Sequence, residues 1–444
     1  MQNKKYLIIG DVFIDVHLDD IQNESPFIRL GGIFHAVRAF SAIEENFGQI
    51  YFAPSYLVED IELFSKELSS QYSKSIGEVI NSPNLMLVSD SKETSSQGYL
   101  DLLKMKKEIS YSDRIELNLK EFCPTDVLLF PGKYDVKRIL QLLAKQDCKI
   151  HIDIQYDFDL EDFLEGQEIE TVFVSTSSKH IQRIENKSTV KLVEKLSTYS
   201  IKTLVIKENR GGSLIYNYET QKMYNIPAFI SSTTHSVGVG DVYDVVYICM
   251  SKAYSTIEAS KCASYAASIY AQTYNYIVFK NRLKFLLGNV DKISSLNGVR
   301  VSWDSRPTIN IYIAAPDFPT VDTRIINAVQ SSLKYHNFSP RLPIRENGLY
   351  LDSMTKKEEL ALFFKDFELL SSCDLLIAVI LINDPGTYVE LGIFKQMGKP
   401  TIVYDPFGMC QNMFAKNTAD YFCTNLSEVV NATFVALKGT RNEE

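Results

Sequence analysis

Asp384-Pro-Gly-Thr-Tyr-Val-Glu390-Leu-Gly, launched from the apolar run Leu375 to Leu381, decides the fold of the C-terminal part of this chain. A short run rich in Ile, Leu and Val reads as a strand of a parallel sheet buried on both faces. The Pro-Gly pair breaks the strand, and Thr-Tyr-Val-Glu-Leu-Gly-Ile-Phe-Lys-Gln-Met then opens a helix that is expected to stop at Gly398. Ligands of open α/β sheets bind at the carboxyl ends of strands, so this corner delivers Asp384 and Glu390 to the expected site mouth. Two nearby carboxylates in different environments are what a carboxylate nucleophile and its acid/base partner require. The plainer alternative makes Asp384 a local helix cap and Glu390 a solvated helix residue.

Composition bounds the rest. A length of 444 residues implies two domains or three, and 45% hydrophobic with 23% charged residues describes a globular protein with ample core. The formal charge of -9 argues against a general nucleic-acid surface, which needs clustered Lys and Arg, while leaving room for one nucleotide in a pocket. Seven cysteines without a CxxC pair, and no secretory signal, point to a reducing cytoplasm. No apolar run approaches the roughly 20 residues of a membrane helix. The histidines are scattered without HxH or HExxH spacing, so no metal site is expected from them.

Strand-like runs alternate with helical patterns through the first 280 residues, the signature of βαβ units. Strands are expected at Tyr6 to Ile9, Val127 to Phe130, Lys149 to Ile154, Thr171 to Val174 and Thr203 to Ile206, with an antiparallel ribbon within Leu85 to Arg114. The turn-rich stretch 294–307 reads as a linker between a first domain, 1–293, and a second, 308–444. The tail from Lys438 is expected to fray.

Residues 309–405 resemble the nucleoside 2-deoxyribosyltransferase family. The resemblance is carried by the strand Ile309-Asn-Ile-Tyr-Ile-Ala-Ala-Pro316 with Asp317-Phe318, by Asp366 eight residues before Asp374, by Asp384-Pro-Gly-Thr-Tyr-Val-Glu390, and by Gly398-Lys-Pro-Thr-Ile-Val. It implies a Rossmann-like (flavodoxin-like) α/β domain, and Glu390 falls on the family's nucleophile. Asp384 and Asp366 match carboxylates that hold base and sugar, one of them protonating the departing base. Tyr312 matches a tyrosine that orients the nucleophile, Asp317 and Phe318 fall where the base lies, and Gly386 shapes the turn. Family members complete each site with an Asn and a Met from a neighbouring subunit. Asn412-Met413 lies in that region, but the two are adjacent rather than separated by one residue. Relatives that hydrolyse nucleotides need cationic groups for phosphate, for which Arg324, Arg341 and Arg345 are candidates. No cofactor is implied for this domain.

The first block resembles the ribokinase-like (PfkB-type) carbohydrate and nucleoside kinases, which implies a three-layer α/β/α domain with a small β lid. The carriers are Gly10-Asp11, Leu30-Gly31-Gly32 and its following helix, Val205-Ile-Lys-Glu-Asn-Arg-Gly211-Gly212, and Gly238-Val239-Gly240-Asp241. Asp11, Gly31 and Gly32 fall on substrate-binding positions. Gly238 and Gly240 would shape an anion hole at a helix start, and Asp241 would take the proton from an attacking hydroxyl. ATP and Mg²⁺ are the implied cofactors. Three departures stand against them. The family's sugar-binding Asn falls on Ala36, beside His35. The segment before the glycines is His235-Ser236-Val237, and the magnesium-organising Asn-x-x-Glu appears as Ser175-Thr-Ser-Ser178.

Taken together, the chain is expected to cleave or transfer the N-glycosidic bond of a (deoxy)nucleoside or its monophosphate through Glu390. A kinase-like block would phosphorylate or bind a nucleoside or sugar, and the whole is expected to form a homo-oligomer with neither membrane nor nucleic acid as partner. The alternative is a nucleotide-sensing regulatory protein whose kinase-like block is inactive.

Overall fold

The computed structural model describes residues 4–18, 27–154 and 164–438, so the tail from 439 lies outside the described residues. By contact density the chain divides into two units, one comprising Met1–Lys92 and Gln97–Gly298, the other Glu93–Ser96 and Val299–Glu444. Both are mixed α/β.

The strands of the first unit are β1 (Tyr6–Asp11), β2 (Ile14–His17), β3 (Phe27–Leu30), β4 (Phe47–Ala53), β5 (Tyr72–Ile80), β6 (Leu85–Val88) and β7 (Leu100–Asp101), followed by β8 (Glu108–Tyr111), β9 (Asp126–Leu129), β10 (Lys149–Ile154), β11 (Ile169–Ser175), β12 (Ile201–Lys207), β13 (Ser213–Asn217) and β14 (Lys222–Ile226). Among the described residues ten of them form one sheet in the order β14-β13-β12-β11-β10-β9-β1-β4-β5-β8. Its interior pairs are parallel, from β12 through β11, β10, β9 and β1 to β4 and β5. β1, β4 and β9 are buried along their whole length, as strands covered on both faces must be. The five strands expected from the sequence coincide with β1, β9, β10, β11 and β12 to within a few residues at their ends.

The stretch 85–114 divides its strands. β6 pairs antiparallel with β7 in a small four-stranded sheet, whereas β8 closes the large sheet antiparallel to β5. Two helices matter for the site: α1 (Phe34–Ile43), and α2 (Val239–Met250), which is buried on every side from Asp241 to Met250.

The second unit carries an all-parallel sheet of β15 (Asn310–Ala314), β16 (Ser339–Arg341), β17 (Leu375–Val379), β18 (Thr401–Tyr404) and β19 (Tyr421–Cys423), in the order β16-β15-β17-β18-β19. Helix α3 (Lys356–Ser372) leads into β17, and α4 (Pro385–Gln396) follows it. Gly398, at φ 73°, ends α4 in the left-handed conformation that glycine adopts without Cβ strain.

Residues 299–307, expected to be linker, are instead packed. Val299, Val301, Trp303 and Arg306 are buried. The guanidinium of Arg306 donates to the Val301 and His336 carbonyls and lies 5.1 Å from the Trp303 ring and 4.9 Å from the Phe434 ring. Turn residues and mixed polarity hide this burial from a composition argument, because the aromatic partners of Arg306 lie both beside it and far along the chain.

Candidate functional site

In the second unit, Tyr312 rises from the middle of β15, and Glu390 lies one turn into α4 behind the strand-turn-helix corner. The Tyr312 hydroxyl donates to Glu390 Oε1 at 2.6 Å. Burial pushes the Glu390 carboxyl up to about 7, the negative charges of Asp366 and Asp384 add to that rise, and the Tyr312 hydrogen bond opposes it. Burial, and then the Glu390 charge, raise the Tyr312 hydroxyl, which stays protonated and able to donate. Asp366 projects from α3, where Asn347 Nδ2 donates to Oδ1 at 2.8 Å, and burial raises its pKa.

Asp384 takes the plainer of its two expected roles as well as standing near Glu390. It is the N-cap of α4, accepting from Thr387 N–H at 3.0 Å, from the Thr387 hydroxyl at 2.7 Å and from Gly386 N–H at 3.4 Å. Asp384→Ala is therefore expected to destabilise the second unit by about 1 kcal/mol, read as a lowered urea midpoint of the full chain. Gly386 corrects its expectation. It has no positive φ, and an added Cβ would make only ordinary contact, 3.4 Å from Asp384 Oδ2, so its contribution is a backbone N–H inside the cap.

The outlying residues are held by local partners. Asp317 is gripped by Arg345 through Nε at 2.5 Å and Nη2 at 3.0 Å, with Phe318 half-buried beside it. Arg341 pairs with Glu346, and Arg324 with Asp322 at the exposed surface. All three arginines considered for phosphate thus already serve a carboxylate. Asn412 caps the short helix Met413–Thr418, accepting from Phe414 N–H at 2.8 Å, and Met413 is 67% exposed.

In the first unit the expected residues also converge. Gly238, at φ 78°, is the N-cap of α2, and a Cβ there would fall 2.1 Å from the His35 ring, so both backbone and space demand glycine. Asp241 is buried in the first turn and lines a cleft with Asp11, Gly32, Ile33, Phe130 and Asp153. That cleft offers about 40 Å³.

The polar groups at its walls are engaged from within the chain. Lys107 Nζ meets Asp11 Oδ1 at 3.1 Å, both side chains almost fully buried. Gly31 lies against the carboxyl of Asp15, which meets His35 Nε2 at 2.9 Å, while His35 Nδ1 meets the Tyr270 hydroxyl at 2.9 Å. Burial holds His35 well below the ordinary imidazole range.

Asp153, at the end of β10, and Asp244, one turn beyond Asp241 on α2, were not among the candidates read from the sequence. With Asp241 they form a cluster whose carboxylate oxygens lie within 4.8 Å of one another. Lys207, the last residue of β12, inserts its ammonium there, 3.0 Å from Asp153 Oδ2 and 2.9 Å from Asp244 Oδ2. Burial alone would lower the Lys207 pKa, but Asp153, Asp244 and Asp241 raise it above its ordinary value. The only local signals were an Asp interrupting an apolar strand and an Asp three residues after Asp241; the ammonium between them comes from a distant strand.

Among the described residues no helix is long and apolar enough to cross a membrane. No curated protein sequence matches the chain. In structure the chain is similar to Giardia lamblia ribokinase (15% identity, 65% of this chain and 99% of that one, TM-score 0.47). It is similar also to the tetrameric inhibited form of Escherichia coli phosphofructokinase-2 (13%, 64% and 100%, 0.49) and to Arabidopsis thaliana ribokinase complexed with ribose and ATP (12%, 67% and 100%, 0.48). The family model of nucleoside 2-deoxyribosyltransferase matches residues 311–419, a span that contains Tyr312, Asp366, Asp384 and Glu390. The second unit therefore carries a domain of the nucleoside 2-deoxyribosyltransferase family.

Proposed function

We propose that the second unit breaks or exchanges the N-glycosidic bond of a (deoxy)nucleoside or nucleoside monophosphate, with Glu390 as nucleophile. The observation that carries this reading is the 2.6 Å bond from Tyr312 to a carboxyl pushed up to about 7 at the mouth of a parallel sheet. A Glu390 oxygen attacks C1′ and forms the C1′–O ester as the C1′–N bond breaks. The electron pair leaves on the base nitrogen, which takes a proton, and the oxocarbenium-like transition state is stabilised by the adjacent anion. Water or a second base then attacks C1′ and returns the Glu390 carboxylate.

Of the two flanking carboxyls, Asp366 is assigned as the proton donor. Burial raises its pKa, whereas both carboxylate oxygens of Asp384 are taken up by the three hydrogen bonds that cap α4. The chain is assigned a homo-oligomeric state in which a second copy covers the exposed Phe363, Phe364 and Phe367 of α3, the helix that carries Asp366.

Base release from a panel of nucleosides and monophosphates, with and without an acceptor base, tests the reading; release that requires acceptor identifies a transferase. The pH profile is a second test. Attack requires ionised Glu390 and a protonated Asp366, so kcat/KM is expected to rise with pH as Glu390 ionises, through about 7, and to fall once Asp366 loses its proton. Because the Tyr312 bond favours the ionised form of Glu390, Tyr312→Phe is expected to move the rising limb to higher pH and slow the reaction by about 10- to 100-fold. An unmoved limb in that variant would sink the orienting role of Tyr312.

For the first unit, the nucleotide-sensing alternative is favoured over turnover by one observation: buried lysines already pair with Asp11 and Asp153, two of the carboxylates lining its cleft.

A further inference from the structure

Three clustered carboxylates in the first unit have the donor set of a divalent-cation site, so the fit of a cation can be tested on the residues. The matching ligand set is Asp153, Asp241 and Asp244, all buried, with Asp153 and Asp241 facing the cleft. Six-coordinate magnesium needs oxygens at about 2.0–2.1 Å in near-octahedral array. Those oxygens instead surround an ammonium. Lys207 Nζ donates to Asp153 Oδ2 at 3.0 Å and to both oxygens of Asp244 at 3.0 and 2.9 Å. It also lies directly beneath the first turn of α2, 3.1 Å from where a Gly240 Cβ would stand. A metal bound by the same oxygens would sit within a few ångströms of a fixed positive charge, in a buried site where that repulsion is weakly screened. The cation position does not fit a metal while Lys207 is there.

We propose that Lys207 is a built-in counter-cation that pre-empts a divalent-metal position, making the first unit's cleft a metal-free site. Its ammonium supplies one positive charge where a metal would supply two, and it cannot be exchanged or titrated by metal supply. A ligand entering beside Gly238 and Gly240 then meets backbone amides and the Lys207 ammonium without a bridging metal. The Asp11–Lys107 pair follows the same pattern elsewhere in the cleft lining, again satisfying a cleft carboxylate from within the chain.

The test uses the full chain with Mn²⁺ alone as the probe, followed by calorimetry and by the thermal midpoint. Wild type is expected to show no first-unit Mn²⁺ site. Lys207→Ala is expected to gain one, binding at least about 100-fold tighter, because removing the charge leaves three facing carboxylates. The same variant is expected to melt lower than wild type without metal and to recover on adding Mn²⁺, and Asp244→Asn in that background is expected to erase the gain. Should the alanine variant not fold, Lys207→Gln reads the same gain with the side-chain length kept and the charge removed. A wild-type Mn²⁺ site lost on Asp244→Asn would overturn the proposal. So would a folded, uncharged Lys207 variant that binds Mn²⁺ no better than wild type. Either result leaves the chemistry assigned to Glu390 untouched, since no residue is shared.

Discussion

Glu390→Ala is expected to reduce base release by on the order of 10⁴-fold in kcat, leaving little beyond the background of binding and positioning. The reason is that the carboxylate both stabilises the developing oxocarbenium and traps it, and no other carboxylate receives the Tyr312 hydroxyl. Glu390→Gln sharpens the test: it keeps the volume and a hydrogen-bond acceptor for Tyr312 but removes the nucleophile, so its loss should equal that of alanine. A chromatographic assay for free base measures both, beside a thermal midpoint showing that each variant is folded. Retention of release within about tenfold of wild type would remove Glu390 from the mechanism. Slow turnover should also leave a glycosyl ester on the chain, visible as a mass increase after rapid denaturation and absent in both variants.

Arg306→Ala is expected to destabilise the second unit by about 3–5 kcal/mol, a large fraction of the stability of an ordinary domain. Its guanidinium is fully buried, with Nε and Nη2 donating to the Val301 carbonyl at 3.1 and 3.0 Å and Nη1 to the His336 carbonyl at 3.2 Å. Truncation strands those carbonyls in an apolar setting and opens a cavity between Trp303 and Phe434. Lysine should not rescue the loss, because it lacks the planar fork that spans two carbonyls while stacking on rings. Urea unfolding of wild type and both variants reads the effect, and a cost below about 1 kcal/mol for alanine would contradict it.

The two units differ in how far their candidate sites could be read beforehand. Asp384 and Glu390 were legible because their strand, turn and helix are consecutive and follow local periodicity, whereas Tyr312, on a strand 78 residues before Glu390, was legible only through the family resemblance. That Asp384 would both cap α4 and lie near Glu390 was open, since the local sequence is compatible with either role, and the fold gives it both. Asp366 was legible as a position, but not the burial that raises its pKa, nor the opposing hydrogen bond from Asn347, nineteen residues away on another helix. In the first unit the glycines of the α2 entry were legible, and what presses on them was not: His35 against Gly238, and Lys207 against Gly240.

By itself, then, the sequence determined the alternation of buried parallel strands with helices, the strand-turn-helix corner that carries Glu390, and the glycine-led start of α2. Each depends on residues close along the chain, whose backbone preferences act before any tertiary contact forms. Tertiary structure alone decided which charges meet. Lys207 reaches Asp153 and Asp244 across separations of 54 and 37 residues, and Arg306 stacks on Phe434 from the opposite end of its unit. Such pairings follow from how sheets and helices stack, because a buried charge must find its partner wherever packing places one.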